Sequence, residues 1–154
     1  MKAITCIGIF LLLTQYLNSQ QITYKDSIDK VLKQYRKGNK VFHDKNEDIK
    51  RRYYYHKKTN QISTIIISNS AEHSETIYYF LSEKLVTMSI YLPYSAMPSS
   101  RGKPMSSAYY FKDETLVDKY EVNFPKVDIE KYKLEGLELY ERAVTFLKNK
   151  GVFK

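Results

Sequence analysis

Asp44-Lys45-Asn46-Glu47-Asp48 is the densest run of metal-capable side chains in this 154-residue chain. Asp44, Asn46 and Asp48 alternate like the opening ligands of a calcium loop. The pattern then breaks, because Ile49 stands where the sharp-turn glycine belongs and Tyr55 where the bidentate glutamate would close the shell. His43, His56 and His73 have no paired spacing of the kind a zinc site needs. Arg101-Gly102-Lys103-Pro104 holds a Gly-Lys pair without the preceding glycine and following hydroxyl of a phosphate loop. No Gly-x-Ser-x-Gly elbow is present, and nothing selects two of the many carboxylates as a glycosidase pair. The sequence therefore assigns no catalytic residue, metal ligand or cofactor.

Two other features point to binding. Residues 25–58 carry twelve basic against five acidic side chains, while residues 59–154 carry twelve of each. The positive excess thus sits in the first third, with Lys50, Arg51, Arg52, Lys57 and Lys58 closest to a run of tyrosines. A local positive field attracts polyanions, so these five are the expected anionic-ligand residues. The second feature is the tyrosines themselves, fifteen in all and often adjacent. In a strand, neighbouring residues point to opposite faces, so each pair offers one ring to either side. Tyr54, Tyr78 and Tyr110 are the expected outward rings, a flat aromatic platform for a sugar or a partner chain.

The amino terminus sets the compartment. Met1-Lys2 is a short positive region, Ala3 to Leu13 is uncharged and almost wholly apolar, and Thr14 to Gln20 is polar. These are the three parts of a secretory signal. The apolar block is also shorter than the roughly 20 residues of a membrane span. Cleavage is expected near Ser19 or Gln20, giving a secreted or periplasmic protein without a transmembrane anchor. Cys6, the only cysteine, would leave with the leader, so the mature chain would fold without disulfides. The Ser19-Gln20-Gln21 ending, followed by a cysteine-free chain rich in lysine and tyrosine, resembles small secreted proteins of the Bacteroidota.

The elements that would position these residues follow from periodicity. Tyr24, Ile28, Val31, Leu32 and Tyr35 recur at helical spacing, with Asp26 or Ser27 able to cap the start and Gly38 suited to the end. From residue 51 the period becomes two. Three hairpins are expected: Arg51–His56 with Gln61–Ser68, Glu75–Leu81 with Leu85–Leu92, and Ser107–Phe111 with Thr115–Phe124.

The second and third hairpins repeat one another. Tyr78 to Val86 aligns without a gap on Tyr109 to Val117, with six of nine positions identical. Tyr53-Tyr54-Tyr55 followed by Ile62 reads as a looser copy with one extra turn residue. Such repetition means one supersecondary unit used several times. It is similar to MORN-type hairpin repeats, although those are glycine-rich at fixed places and this chain has five glycines; no function is carried over. In the last strand Leu116, Tyr120, Val122 and Phe124 are expected on one face and Val117, Lys119 and Glu121 on the other.

Residues 95–106 hold two prolines and a glycine and read as a loop. Residues 128–149 carry a helical stripe from Ile129 to Leu147, with Asp128 as cap. Gly136 inside the stripe implies either a bend or a close approach to the sheet.

The expected architecture is α+β: a short N-terminal helix, an antiparallel meander of about six strands and a C-terminal helix on one sheet face, with residues 21–154 forming one domain after a signal peptide at 1–20. The expected function is non-enzymatic binding in the periplasm or at the cell surface, to an anionic envelope polymer or a protein partner. Nucleic acid is not an expected partner outside the cytoplasm. A hydrolase of an envelope polymer and an inhibitor-like or structural protein are the alternatives.

Overall fold

The computed structural model describes residues 24–34, 39–46, 48–92 and 105–154. The expected leader, Gly38 and most of the proline-containing loop lie outside these residues. The chain divides after Gln34 into two compact units. In the first, residues 24–34 form a helix, α1, whose most buried side chains are Ile28 and Leu32. Asp26 and Ser27 lie within it, and the Ser27 hydroxyl donates back to the Tyr24 carbonyl.

The second unit is a seven-stranded antiparallel meander followed by a helix. The strands are β1 (Lys40–Asn46), β2 (Ile49–His56), β3 (Gln61–Asn69), β4 (Ser74–Leu81), β5 (Lys84–Leu92), β6 (Met105–Lys112) and β7 (Thr115–Val122), and spatial order equals chain order. Three hairpins stand where the sequence places them. The seventh strand is β1, in a stretch whose composition is mostly charged and polar. Met105 and Ser106, expected in the loop, begin β6, and Met105 is buried.

All three repeated hairpins share one irregularity. Tyr54 pairs with Thr64 but Tyr55 with Ile62; Tyr79 pairs with Thr87 but Phe80 with Leu85; Tyr110 pairs with Asp118 but Phe111 with Leu116. Each returning strand thus carries one extra residue, Ser63, Val86 or Val117, in a β-bulge. A bulge reverses the in–out parity beyond it. This corrects the expected pattern of β7: beyond Val117, Lys119 and Glu121 share the face of the core tyrosine Tyr109, while Tyr120 and Val122 take the opposite face. Tyr120 is accordingly 55% exposed.

The turns keep the repeat as well. Ser82-Glu83 and Asp113-Glu114 have positive φ at both central residues, the requirement of a type I′ turn. The first hairpin has a four-residue tip, Lys57–Asn60, as expected, two residues longer than the others.

One sheet face is closed by the helix α2 (Ile129–Asn149), and the helix start agrees with the expected cap. The Asp128 carboxylate accepts from the Lys131 N–H at 3.1 Å. The helix ends in a Schellman arrangement, with the Val152 N–H reaching the Leu147 carbonyl and Gly151 at φ +67°. Twenty-one residues span about 31 Å, close to the roughly 29 Å across seven strands at about 4.8 Å spacing. α2 can therefore cross nearly the whole sheet. Near its start the Lys133 ammonium donates to the Glu114 carbonyl at the β6–β7 tip. Further along, Tyr140 packs on Phe80 at 4.6 Å between ring centroids, and Phe146 meets both Phe42 and Tyr53. Beyond the helix Phe153 lies edge-on to Tyr55.

Gly136 resolves in favour of close approach. A Cβ there would lie 2.5 Å from Cδ1 of the Tyr78 ring. The core beneath the helix includes a row in cross-strand register: Phe42, Tyr53, Ile65, Tyr78, Met88 and Tyr109.

Candidate functional site

The tyrosine pairs divide between the faces. Tyr53, Tyr78 and Tyr109 point under α2, and burial raises the affinity of each phenol for its proton. The Lys119 ammonium donates to Glu121 at 3.0 Å and the Tyr109 hydroxyl at 2.9 Å; the lysine first and the tyrosine second hold the Glu121 carboxyl below its usual range. Tyr78, expected on the outward platform, is only 2% exposed. Its alternating neighbour Tyr79 is the residue on the other face.

On that other face a second row runs in register: Val41, Tyr54, Thr64, Tyr79, Thr87, Tyr110 and Asp118. Tyrosine and threonine alternate over its middle five positions because the middle residue of each aromatic triplet pairs with the residue just past each bulge. Val41 is exposed and Tyr54 and Tyr79 are half-buried, whereas Thr64, Thr87 and Tyr110 are buried, Tyr110 on its expected face. The next row reads His43, Arg52, Ile66, Ile77, Ser89, Ala108 and Tyr120. Among the exposed large apolar side chains, Val41, Tyr91 and Tyr120 all belong to this face.

Two depressions mark the face. One, of about 340 Å³, is lined by Asn39, Tyr54, Thr64, Ile66, Ile77 and Tyr79. The other, of about 280 Å³, has small side chains at Ser89, Ser106 and Ala108 between the larger Tyr91 and Tyr120, and it meets the first at Ile77. Asn39 is held at the first depression by the bulge of hairpin one. The Ser63 hydroxyl donates to the Tyr54 carbonyl at 3.2 Å and accepts from the Asn39 Nδ2 at 2.6 Å. Since Asn39 must therefore present its NH₂ group to Ser63, its Oδ1 is left buried without a hydrogen-bond donor. Hairpins two and three carry valine where Ser63 stands.

The five expected cationic residues are not one patch. Strand parity sends Lys50 and Arg52 to the tyrosine–threonine face and Arg51 to the opposite one, where it lies 3.8 Å from Asp44. Lys57 and Lys58 sit in the β2–β3 tip, about 20 Å from Lys50 along the strand. What Lys50 and Arg52 do meet is β1. Lys45 is directly opposite Lys50, and His43 is directly opposite Arg52, all on one face. Arg52 pairs with Glu75 at 2.8 Å, and Glu75 also accepts from Ser68. Among the described residues neither Lys45 nor Lys50 has a counter-ion.

Asn39, His43, Lys45, Thr64 and Tyr79 were not singled out by sequence reasoning. The signal for Tyr79 lay in the repeat, since Tyr54, Tyr79 and Tyr110 occupy equivalent places. The other residues depend on recognising β1 and the bulge. Among the described residues no group of histidine, cysteine and carboxylate side chains could hold a metal ion, and no helix is long and apolar enough to cross a membrane. Neither protein-family models, curated proteins nor solved structures gave a match to this chain.

Proposed function

We propose that this chain is a non-enzymatic binding module of the periplasm or cell surface, acting through the sheet face turned away from α2. The observation that carries this reading is the contrast within single strands. One face is packed on the helix, whereas the other carries two depressions, the half-buried Tyr54 and Tyr79, and the exposed Val41, Tyr91 and Tyr120. Aromatic side chains with polar tips suit recognition because they bury a large area at small entropy cost. The export leader expected over residues 1–20 supports the compartment, and the charge at Lys45 and Lys50 supports an anionic partner.

Retention on insoluble bacterial envelope fractions tests the reading. The mature chain is expected to sediment with them, and a Tyr54→Ala/Tyr79→Ala variant is expected to stay in solution. Reducing ends or other soluble products should remain at the level of a protein-free blank. Product release by the chain would replace the proposal with an envelope hydrolase, and failure of the wild type to sediment would remove it.

A further inference from the structure

The geometry points to a specific ligand class for this face, an acidic polysaccharide whose sugar rings lie in the Asn39–Tyr79 trough and whose carboxylates face Lys45 and Lys50. The inference rests on the binding-module reading and adds the chemistry of the partner.

Three independent features of the trough select that class. The first is its lining. Ile66 and Ile77 are apolar, while the half-buried Tyr54, Tyr79 and Asn39 add hydroxyl and amide groups. This is an amphipathic surface, matching a pyranose ring with its C–H face and hydroxyl edge. The second is Asn39 Oδ1, a buried acceptor with no donor of its own. A ligand hydroxyl can supply that donor, whereas an aliphatic chain cannot. Leaving a buried acceptor unmatched is costly, and Ser63 holds Asn39 in the arrangement that creates it.

The third feature is charge. Like charges directly opposite one another in an antiparallel pair destabilise it, yet Lys45 faces Lys50 on this side of the β1–β2 hairpin. Arg52, paired with Glu75 and with Ile66 as its cross-strand partner, lies between the two lysines and the trough. An anion bridging Lys45 and Lys50 would relieve their repulsion. The shared border of the two depressions at Ile77 favours an extended ligand over a single sugar unit. A lipid headgroup would satisfy the lysines but would leave Asn39 Oδ1 and the hydroxyl-bearing walls unmatched.

The test uses the mature chain with three soluble probes: polygalacturonate oligosaccharides, neutral dextran of similar length, and dextran sulfate. Affinity is read by calorimetry at low salt, and the thermal midpoint of each variant is recorded alongside. Polygalacturonate is expected to bind, with affinity falling as salt rises, and dextran should bind at least about tenfold more weakly. Lys45→Glu/Lys50→Glu should weaken polygalacturonate about tenfold or more. Asn39→Ala should weaken it roughly fivefold and Tyr79→Ala roughly tenfold. Lys126→Glu/Lys131→Glu, an equal charge change away from the trough, should leave affinity within about twofold.

Equal binding of dextran would overturn the acidic requirement. Tight dextran sulfate binding that ignores Asn39→Ala and Tyr79→Ala would reduce the site to charge alone and also overturn it. If the Lys126/Lys131 variant loses as much as the Lys45/Lys50 variant, the assignment to this face fails. Absence of binding to all three probes would remove the polysaccharide, while envelope retention would still decide the broader reading separately. The lysine variants change exposed side chains, so the charge arm survives even if Tyr79→Ala proves unstable.

Discussion

Tyr78 and Tyr79 are adjacent and identical in type, yet they belong to different parts of the molecule's economy. Tyr78 is fully enclosed, with Gly136 of α2 lying against its ring. Tyr79 lines a depression on the opposite face beside Thr64. The same division holds for Tyr53 and Tyr54. Residue type is constant across these two pairs, so strand parity separates packing from surface there, whereas in the third pair both Tyr109 and Tyr110 are buried. The helix face is expected to respond to substitution in stability, and the other face in binding.

The broadest way to probe the helix face is alkaline pH. Burial raises the proton affinity of Tyr53, Tyr78 and Tyr109, and of Tyr132 on α2. A phenol whose folded pKa lies above its unfolded value of 10.0 stabilises the fold fully below that value, and the contribution is lost as pH rises toward the folded value. Above pH 10 the unfolded chain binds fewer protons than the folded one, so stability falls. Cooperative unfolding is expected there, with tyrosinate absorbance appearing together with loss of far-ultraviolet circular dichroism. Ionisation of these four phenols in a chain that stays folded would contradict their burial.

The pairwise comparison can be made directly. Tyr78→Ala should cost about 3–5 kcal/mol in denaturant unfolding, the range for deleting a fully buried aromatic ring. Tyr79→Ala, at a half-buried position, should cost less than half as much. Equal costs would show that parity does not separate the two faces. Gly136→Ala probes the same contact from the helix side. Alanine would gain about 1 kcal/mol of helix propensity, but its Cβ would fall 2.5 Å from Cδ1 of the buried Tyr78 ring. Overpacking of this kind costs about 1–3 kcal/mol, so a net loss is expected. Restoration by Tyr78→Leu would identify the ring as the cause.

Much of the frame was legible in residues alone, because it is local. The nine-residue repeat announced two hairpins, and the Asp128 cap and apolar stripe announced α2. What escaped was set by register between strands. In Lys40–Asn46 the apolar residues Val41 and Phe42 are adjacent, so no alternation betrays a strand, yet pairing with β2 makes one. The bulge at Val117 follows from pairing and inverts every position after it, which is why Tyr120 was expected on the wrong side. The basic residues illustrate the same point: Lys50, Arg51 and Arg52 are one cluster in sequence and two opposed faces in the fold. The trough was hidden for a further reason, since Asn39 reaches it only through Ser63, a bulge residue distant in sequence.

The smallest expected effect bears most directly on why the second face looks as it does. Lys45→Thr replaces one member of a directly opposed lysine pair with a residue of better strand propensity. Relief of the repulsion should raise stability by about 0.2–1 kcal/mol, measured by urea unfolding at low salt. The gain should shrink at high salt as the original repulsion is screened. The same substitution should weaken binding of acidic polysaccharide. On the helix face, by contrast, side-chain loss can only remove packing, so stability and function should decline together. A stabilising change that impairs binding is the signature of residues kept for a partner at some cost to the fold. If Lys45→Thr instead destabilises the sheet while leaving binding intact, the lysine pair is structural, and the two faces differ in packing alone.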